Sequence, residues 1–181
     1  VARTSGVLDM STRTLRADVP PALADVCKVM GFVRADIWRR YGALGTVGKN
    51  ANAIRKEISA AALYDSLAVD GTIRAETTKD IVNDILLYKA AAMVKVRQAV
   101  AARTQDATER KRMYAALKTN EWLGDNFLHR QVRKHFRHGK ASVANQFVVR
   151  SDKHTCAVVE GKLVVTIKVA QKFGGHIKLF T

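Results

Sequence analysis

Apolar residues recur every three or four positions over most of the chain, which is the period of an amphipathic α-helix. A helix start is favoured after Pro20-Pro21, because proline is tolerated in a first helical turn, and Asn50 is a suitable N-cap for a second helix. The pattern predicts five helices: from Pro20-Pro21 to about Tyr41, from Asn50 to about Val69, Glu76 to Arg103, Thr108 to Lys118 and Glu121 to His138. We expect Asp70-Gly71 to form a turn before the longest of them.

The apolar faces of these helices predict the core. In the first helix the buried face is predicted to hold Leu23, Val26, Met30, Val33 and Ile37. In the longest helix it is predicted to hold Ile81, Val82, Ile85, Leu86, Met93, Val96 and Val100, and in the last helix Leu128, Val132 and Phe136. An alanine run over residues 90–92 predicts close packing against a neighbouring helix.

The last 40 residues change from a helical to an extended pattern, rich in Val, Ile, Phe and Thr. The predicted strands are Val143 to Arg150, Thr155 to Val159, Leu163 to Lys168 and His176 to Phe180, with turns at Glu160-Gly161 and Gly174-Gly175. One further strand is predicted over residues 12–19. The expected fold class is α+β, with a helical module inserted between the first strand and the remaining strands of a small antiparallel β-barrel.

This pattern divides the chain into segments. Residues 1–9 are expected to be an upstream extension or cloning remnant, with Met10 as a plausible natural start. Residues 10–19 are assigned to the first barrel strand, residues 20–140 to the helical module and residues 141–181 to the other strands.

The net charge indicates more about the binding partner of this protein than the overall composition does. The chain has 31 Lys+Arg against 16 Asp+Glu, a formal net charge of +15 and a pI near 10.2. Such an excess repels itself in the compact state, and a polyanion relieves that repulsion. Nucleic acid is therefore the expected partner class. A membrane surface is disfavoured, because no predicted helix combines a basic face with a bulky aromatic apolar face long enough to lie in lipid.

The basic residues concentrate in the last predicted helix. Between Leu128 and Lys140 there are five Lys/Arg, three His and no acid. The interpretation is that these cations, together with basic residues elsewhere, contact phosphates, and that two amides after the helix contact base edges or a 2′-hydroxyl. The predicted contacts in this region are Arg130, Arg133, Lys134, Arg137, Lys140, Asn145 and Gln146. The candidates for stacking on bases are Trp38, Tyr41, Trp122 and Phe127, although their helical spacing favours core packing over stacking for these aromatic side chains.

Catalytic and metal-binding patterns are not evident. The glycine-rich stretch over residues 42–50 fails the phosphate-loop pattern, because Ala43 replaces its first glycine and Asn50 replaces its Ser or Thr. The acidic residues are scattered, and Cys27 and Cys156 lack a partner at zinc-ligand spacing, so both are expected to be free, buried thiols of a cytoplasmic protein. Neither a catalytic residue nor a metal ligand is assigned.

The order of motifs resembles a known family. It runs from a short basic strand through Gly31-Phe-Val-Arg-x-x-Ile-Trp38, a helical insert, Trp122-Leu123 and a basic helix with Arg133-Lys-His-Phe-x-x-Gly-Lys140, to Asn145-Gln-Phe-Val-Val149 and a β-rich run ending in His176-Ile-Lys-Leu179. This order is similar to that of the N-terminal half of TnpB-like, transposon-related proteins and of the compact type V CRISPR effectors.

The resemblance implies an RNA-guided, CRISPR-associated type of function. In the family, a wedge domain grips the guide RNA and a helical recognition lobe follows the guide–target heteroduplex and target DNA. The resemblance places Arg13, Arg16, Asn145, Gln146 and Arg150 in the wedge. It places Arg34, Arg39, Arg40, Lys49 and Arg55 in the recognition lobe.

The implied function is that of an RNA-binding and DNA-binding segment that holds a guide RNA and contacts target DNA, with no membrane partner. The RuvC nuclease domain of the family has no counterpart in these residues, so Mg²⁺ is expected only with a nuclease domain elsewhere. Activity as an enzyme is left open. The alternative is a stand-alone basic DNA-binding accessory or repressor protein of a mobile element.

Overall fold

The computed structural model describes residues 20–136, 145–149, 155–171 and 174–180. Within these ranges the chain forms five α-helices followed by three strands. The helices are α1 (Pro21–Tyr41), α2 (Ala51–Ala60), α3 (Gly71–Arg103), α4 (Ala107–Lys118) and α5 (Asn126–Phe136). The strands are β1 (Thr155–Val159), β2 (Lys162–Lys168) and β3 (His176–Phe180).

Helix α1 confirms the predicted boundaries and the predicted buried face. Pro21 lies in its first turn, and all five of the apolar residues predicted for its inner face are buried. The helix ends at Tyr41, and the amide of the next residue, Gly42, donates to the carbonyl oxygen of Trp38 at 2.7 Å. A Cβ at position 42 would lie 2.5 Å from that same oxygen, so this close approach requires glycine.

Helix α2 is capped as predicted but is shorter than predicted. The side-chain oxygen of Asn50 accepts from the amide of Ala53 at 2.9 Å. The prediction that the helix reaches Val69 is wrong, because the helix ends at Ala60 and Ala62 has a φ of +46°. The amide of Ala62 donates to Ser59 O and that of Leu63 to Ile58 O, which is the hydrogen-bond pattern of a Schellman motif.

Helix α3 begins five residues earlier than predicted. The carboxylate of Asp70 accepts from the amides of Thr72 and Ile73, so Asp70 is an N-cap and Gly71 the first helical residue, which corrects the turn predicted there. At 33 residues the helix is roughly 50 Å long. Of the alanines at positions 90–92, only Ala92 is buried, so the predicted close packing against a neighbouring helix applies to that residue alone.

The long helix α3 is shared by two hydrophobic clusters. The first cluster joins the N-terminal half of α3 to α1, α2 and one face of the sheet. The second cluster joins the C-terminal half of α3 to α4, α5 and a short 3-10 helix over Asn120–Leu123. The single predicted helix from Glu121 to His138 is therefore divided, and Asp125 caps α5 by accepting from the amides of Phe127 and Leu128, both at 2.9 Å.

The strands form an open antiparallel sheet in the order β1-β2-β3. The predicted hairpin turn is confirmed: Glu160 and Gly161 both have positive φ, and Val159 pairs with Lys162. Ile167 and Ile177 are partners across β2 and β3, and both belong to the cluster around α1. The α+β class is confirmed for the described residues, in which the sheet is open and no closed barrel is seen.

Two other predicted strands have a different outcome. The strand over 12–19 lies outside the described residues. Of the strand predicted from Val143 to Arg150, residues 145–149 are described, and they form an irregular segment. This segment packs against the helices, because Phe147 and Val149 contact the first cluster and the amide of Val148 donates to Thr77 Oγ1 at 3.0 Å. Hydrogen bonding to a helix side chain replaces strand pairing here.

Candidate nucleic-acid interface

Helix α5 separates its apolar and cationic residues onto opposite faces. Leu128, Val132 and Phe136 are buried in the second cluster at a spacing of four residues. The intervening residues Arg130, Arg133 and Lys134 are all exposed, and we refer to these three side chains as the α5 cationic face. The helix carries no acidic residue, so no charge within α5 compensates this face.

The α5 cationic face is concave at one end. Asn126, His129, Arg130 and Arg133 line a shallow depression of about 380 Å³. His129 is held there by stacking on Trp122, with 6.0 Å between the ring centroids and 20° between the ring planes. A depression with two guanidinium groups, an imidazole and a carboxamide offers hydrogen-bond donors to an oxyanion.

Neighbouring elements add positive charge beside α5. Burial lowers the pKa of His135 below its usual value, and the positive charges of Lys134 and of Lys95 from α3 lower it further. Arg112 of α4 lies 3.9 Å from Asp125, the residue that caps α5. Sequence reasoning missed Lys95 and Arg112. The run of basic residues over 110–112 was the available signal for α4, whereas only the packing of α3 on α5 brings Lys95 to this surface.

The cations predicted on the other helices are tied to acidic or amide groups. Arg39 and Arg40 are exposed, and both donate to the buried carboxylate of Asp36, Arg40 through Nε at 2.7 Å. Lys49 Nζ donates to Glu57 Oε1 at 2.6 Å. Arg55 donates to the side chain of Asn52 at 2.6 Å. These four cations can still face a partner, but a carboxylate already offsets the charge of Arg39, Arg40 and Lys49, whereas Arg55 is only hydrogen-bonded to a neutral amide.

Arg34 is not part of a surface. Its side chain is 4% exposed, and its guanidinium donates to Asp80 Oδ2 at 2.5 Å and to Asp84 Oδ2 at 3.0 Å on α3. A buried guanidinium with two carboxylate partners does not reach a phosphate backbone. We therefore assign Arg34 to the α1–α3 contact and leave it out of the candidate interface.

The predicted stacking residues are engaged within the fold to different degrees. Trp122 is 4% exposed, so its indole offers no face to a base. Phe127 lies under the guanidinium of Arg103, 4.3 Å from its ring centroid. Trp38 packs at a tilt on Tyr88, 5.5 Å between centroids. Tyr41 is half-buried, and burial is the main cause that raises the pKa of its hydroxyl.

The amides predicted after the basic helix are exposed. Asn145 and Gln146 begin the irregular segment 145–149, and both side chains are accessible. Asn145 lies against α1, since a Cβ on Gly31 would come within 2.2 Å of Asn145 Oδ1. The glycine of the Gly-Phe-Val-Arg motif thus makes room for this asparagine. Arg13, Arg16, Arg137, Lys140 and Arg150 lie outside the described residues.

A metal site and a membrane span find no counterpart in the described residues. No group of three or more His, Cys, Asp or Glu side chains within those ranges is placed to hold a metal ion. Cys27 is a free thiol that is half-buried rather than buried as expected, and this partial burial raises its pKa. Among the described residues, no helix is both long enough and apolar enough to cross a membrane.

Comparison of the chain with protein-family models, with curated proteins and with solved structures gives no match.

Proposed function

We propose that this protein binds structured RNA through the α5 cationic face and helps to present that RNA to DNA. The observation that carries the proposal is the separation of charge on α5: three exposed cations, no acid in the helix, and an apolar face that fixes the helix against α3. Long cations on a rigid helix reach the phosphate oxygens of a polyanion without reading its sequence. The net charge of +15 supports the same partner class.

The resemblance to TnpB-like proteins and compact type V effectors makes a guide RNA the first RNA to test. In this proposal residues 10–19 and 141–181 form a wedge that closes into a small barrel, and the helices form a recognition lobe. Target DNA is then contacted together with the RNA, and base pairing supplies sequence recognition. Cleavage would require a nuclease domain with its Mg²⁺ ions, on this chain or on another.

The proposal is tested with a variant that removes the α5 cationic face. Arg130→Ala, Arg133→Ala and Lys134→Ala are combined, and binding to an RNA hairpin is measured by fluorescence anisotropy at several salt concentrations. The logarithm of the binding constant falls linearly with the logarithm of the salt concentration, and each lost phosphate contact makes this slope shallower by roughly 0.7–0.9. For three lost contacts we expect the slope to become shallower by about two to three, together with weaker binding. The control combines Lys28→Ala, Lys56→Ala and Lys79→Ala, three exposed lysines on α1, α2 and α3, and has the same net charge.

Two outcomes would contradict the proposal. If both triple variants lose affinity equally, net charge rather than the α5 cationic face determines binding. If the wild-type protein prefers duplex DNA to the hairpin, the alternative of a DNA-binding accessory or repressor protein replaces the RNA-binding one. Sequencing of nucleic acid that co-purifies and survives nuclease treatment identifies the natural partner, since a guide-binding protein retains one discrete structured RNA.

A further inference from the structure

Lys89 is a lysine in the middle of the buried stripe of α3. It lies one helical turn after Ile85 and three residues before Ala92, both of which are buried. Its own exposure is 7%, and its Nζ is fully buried without a hydrogen-bond partner among the described residues. An ammonium group removed from water is costly unless an opposite charge or hydrogen-bond acceptors replace the water. Lys89 therefore lacks the anion or hydrogen-bond acceptor that a buried ammonium group needs.

A cavity lies beside this lysine. It has a volume of about 250 Å³ and is formed where the loop after α1 meets α3, the end of α4 and α5. Its wall includes the half-buried apolar side chains of Val47, Leu86 and Met93. This volume is slightly below the roughly 300–1,000 Å³ of typical small-molecule pockets, so the cavity suits a small ligand or one group of a larger ligand.

The charges around the cavity favour a dianion. Three lysines line it: Lys89, Lys49 and Lys118. Lys49 is already paired with Glu57. Lys118 is exposed in the last turn of α4 and has no ion-pair partner among the described residues. The positive charges of Lys89 and Lys118 are thus available to a ligand in the cavity. A phosphate monoester, with a charge of about −1.5 to −2 at pH 7, balances these two charges better than a carboxylate does.

We propose that this cavity binds a phosphate group, with Lys89 Nζ as its buried partner and Lys118 at the rim. The apolar wall contacts the organic group that carries the phosphate. The phosphate can belong to a small phosphate ester or to a nucleic-acid strand. The site is separate from the α5 cationic face, because none of Arg130, Arg133 and Lys134 lines the cavity.

The ionisation of Lys89 agrees with this assignment. Burial, with a smaller contribution from the charge of Lys49, lowers the pKa of Lys89 to about 8. In the free protein the Lys89 ammonium group therefore loses its proton more readily than an exposed lysine does. A bound dianion favours the charged form of this side chain. Binding of phosphate should raise the pKa of Lys89, and the affinity for phosphate should fall above about pH 8.

The first experiment follows thermal unfolding in inorganic phosphate and in phenyl phosphate, each compared with sodium chloride at equal ionic strength. We expect both phosphates to raise Tm with increasing concentration, with phenyl phosphate acting at a lower concentration because of the apolar wall. Lys89→Met removes the buried charge at similar volume and should weaken the apparent affinity about tenfold or more. The matched control Lys56→Met loses the same charge at an exposed position and should respond like the wild type.

The second experiment needs no variant. The pKa of the Lys89 ammonium is measured by NMR with and without inorganic phosphate, and it should rise when phosphate is added. An unchanged Lys89 pKa, or a Tm that rises no more in phosphate than in chloride, would overturn the proposal. Sodium acetate acting as strongly as phosphate would overturn the preference for a dianion.

The source of the phosphate is distinguished with a 5′-phosphorylated RNA oligonucleotide. If Lys89→Met weakens binding of this RNA but not of the same RNA with a 5′-hydroxyl, the cavity takes a terminal phosphate of a nucleic acid. If only phenyl phosphate binding depends on Lys89, the ligand is a small phosphate ester. The Arg130, Arg133 and Lys134 triple variant should retain phosphate binding in the cavity, which separates this proposal from the RNA-binding one.

Discussion

Arg34 of α1 donates a 2.5 Å hydrogen bond to Asp80 of α3, and its other terminal nitrogen reaches Asp84 one turn further along. The guanidinium is buried, whereas the two carboxylates are 39% and 46% exposed at the edge of the helix contact. One cation thus holds two acidic side chains of α3 against α1. Its position corresponds to a structural bridge between the two helices.

Replacing Arg34 with Met should destabilise the protein by about 2–3 kcal/mol, below the 3–5 kcal/mol of a fully buried pair because both carboxylates keep water. The substitution retains the apolar stem and leaves two acids without their cation. Chemical denaturation measures the loss. Arg97→Met serves as the control, since Arg97 is exposed on the same helix as the two acids and should change stability by less than about 0.5 kcal/mol. Equal losses for the two variants would show that the bridge contributes nothing.

Asp36 gives the protein a predictable response to acid. Burial by itself raises the pKa of this carboxyl, but hydrogen bonds from Arg40, Arg39 and Tyr64 outweigh burial and leave the pKa below its usual value. A lowered folded-state pKa means that Asp36 stabilises the protein above the unfolded pKa of about 3.9, and that this contribution is lost as the pH falls through the folded value.

We therefore expect the stability difference between the wild type and Asp36→Asn to be largest near pH 7 and to shrink between about pH 5 and pH 2. Urea denaturation at a series of pH values measures both proteins, and subtracting one curve from the other removes the titration of the remaining acids. Asp25→Asn is the control, because Asp25 is exposed and its contact with Lys28 is long at 3.5 Å. A difference that stays constant with pH would show that Asp36 stabilises the fold without its charge.

The sequence predicts best the elements whose signals are local. The inner face of α1, the cap at Asn50 and the Glu160-Gly161 turn depend on neighbours in the chain, and all three are confirmed. The end of α2 could not be predicted, because it turns at Ala62, a residue that favours helix. The burial of Arg34 could not be predicted either, because its partners are 46 and 50 residues away.

The candidate sites show the same division. The charge separation of α5 follows from spacing alone and could be predicted. Lys89 was also visible in the sequence, as a charged residue at a helical spacing from Ile85 and Val96 in a predicted apolar stripe, but it was overlooked. The cavity beside it depends on how α3, α4, α5 and a loop meet, and no pattern along the chain indicates that.

Ala62 occupies a backbone conformation that favours glycine. Its φ of +46° places it in the left-handed region, at the position of the Schellman motif where glycine is most common. For an L-residue with a Cβ, this conformation is unfavourable by about 1 kcal/mol. Ala62→Gly should therefore stabilise the protein by up to about 1 kcal/mol, measured as an increase in the denaturation midpoint at unchanged slope.

The neighbouring substitution supplies the control for Ala62. Ala60 is the last residue of α2 and is also exposed, but it has helical conformation. Ala60→Gly should destabilise the protein by about 0.5–1 kcal/mol, because glycine loses more conformational entropy in a helix. The two substitutions are chemically identical, so opposite signs would attribute the effect to backbone conformation. Destabilisation by both would contradict a left-handed Ala62.

Trp122 was predicted to stack on bases, and its substitution tests whether it contributes to the stability of the fold or to the binding of nucleic acid. Its indole is buried among residues of α3, α4 and α5 and stacks on His129. Trp122→Phe should cost about 1–3 kcal/mol of stability, since a smaller ring leaves part of the site unfilled. The affinity of the folded protein for the RNA hairpin should stay within about twofold, because base stacking is worth about 1–3 kcal/mol per base and no such contact is lost. Measuring unfolding and anisotropy on the same sample, at a temperature where both proteins are folded, separates the two effects. A large loss of RNA affinity with unchanged stability would instead place Trp122 in the interface and require that the 3-10 helix over Asn120–Leu123 opens when RNA binds.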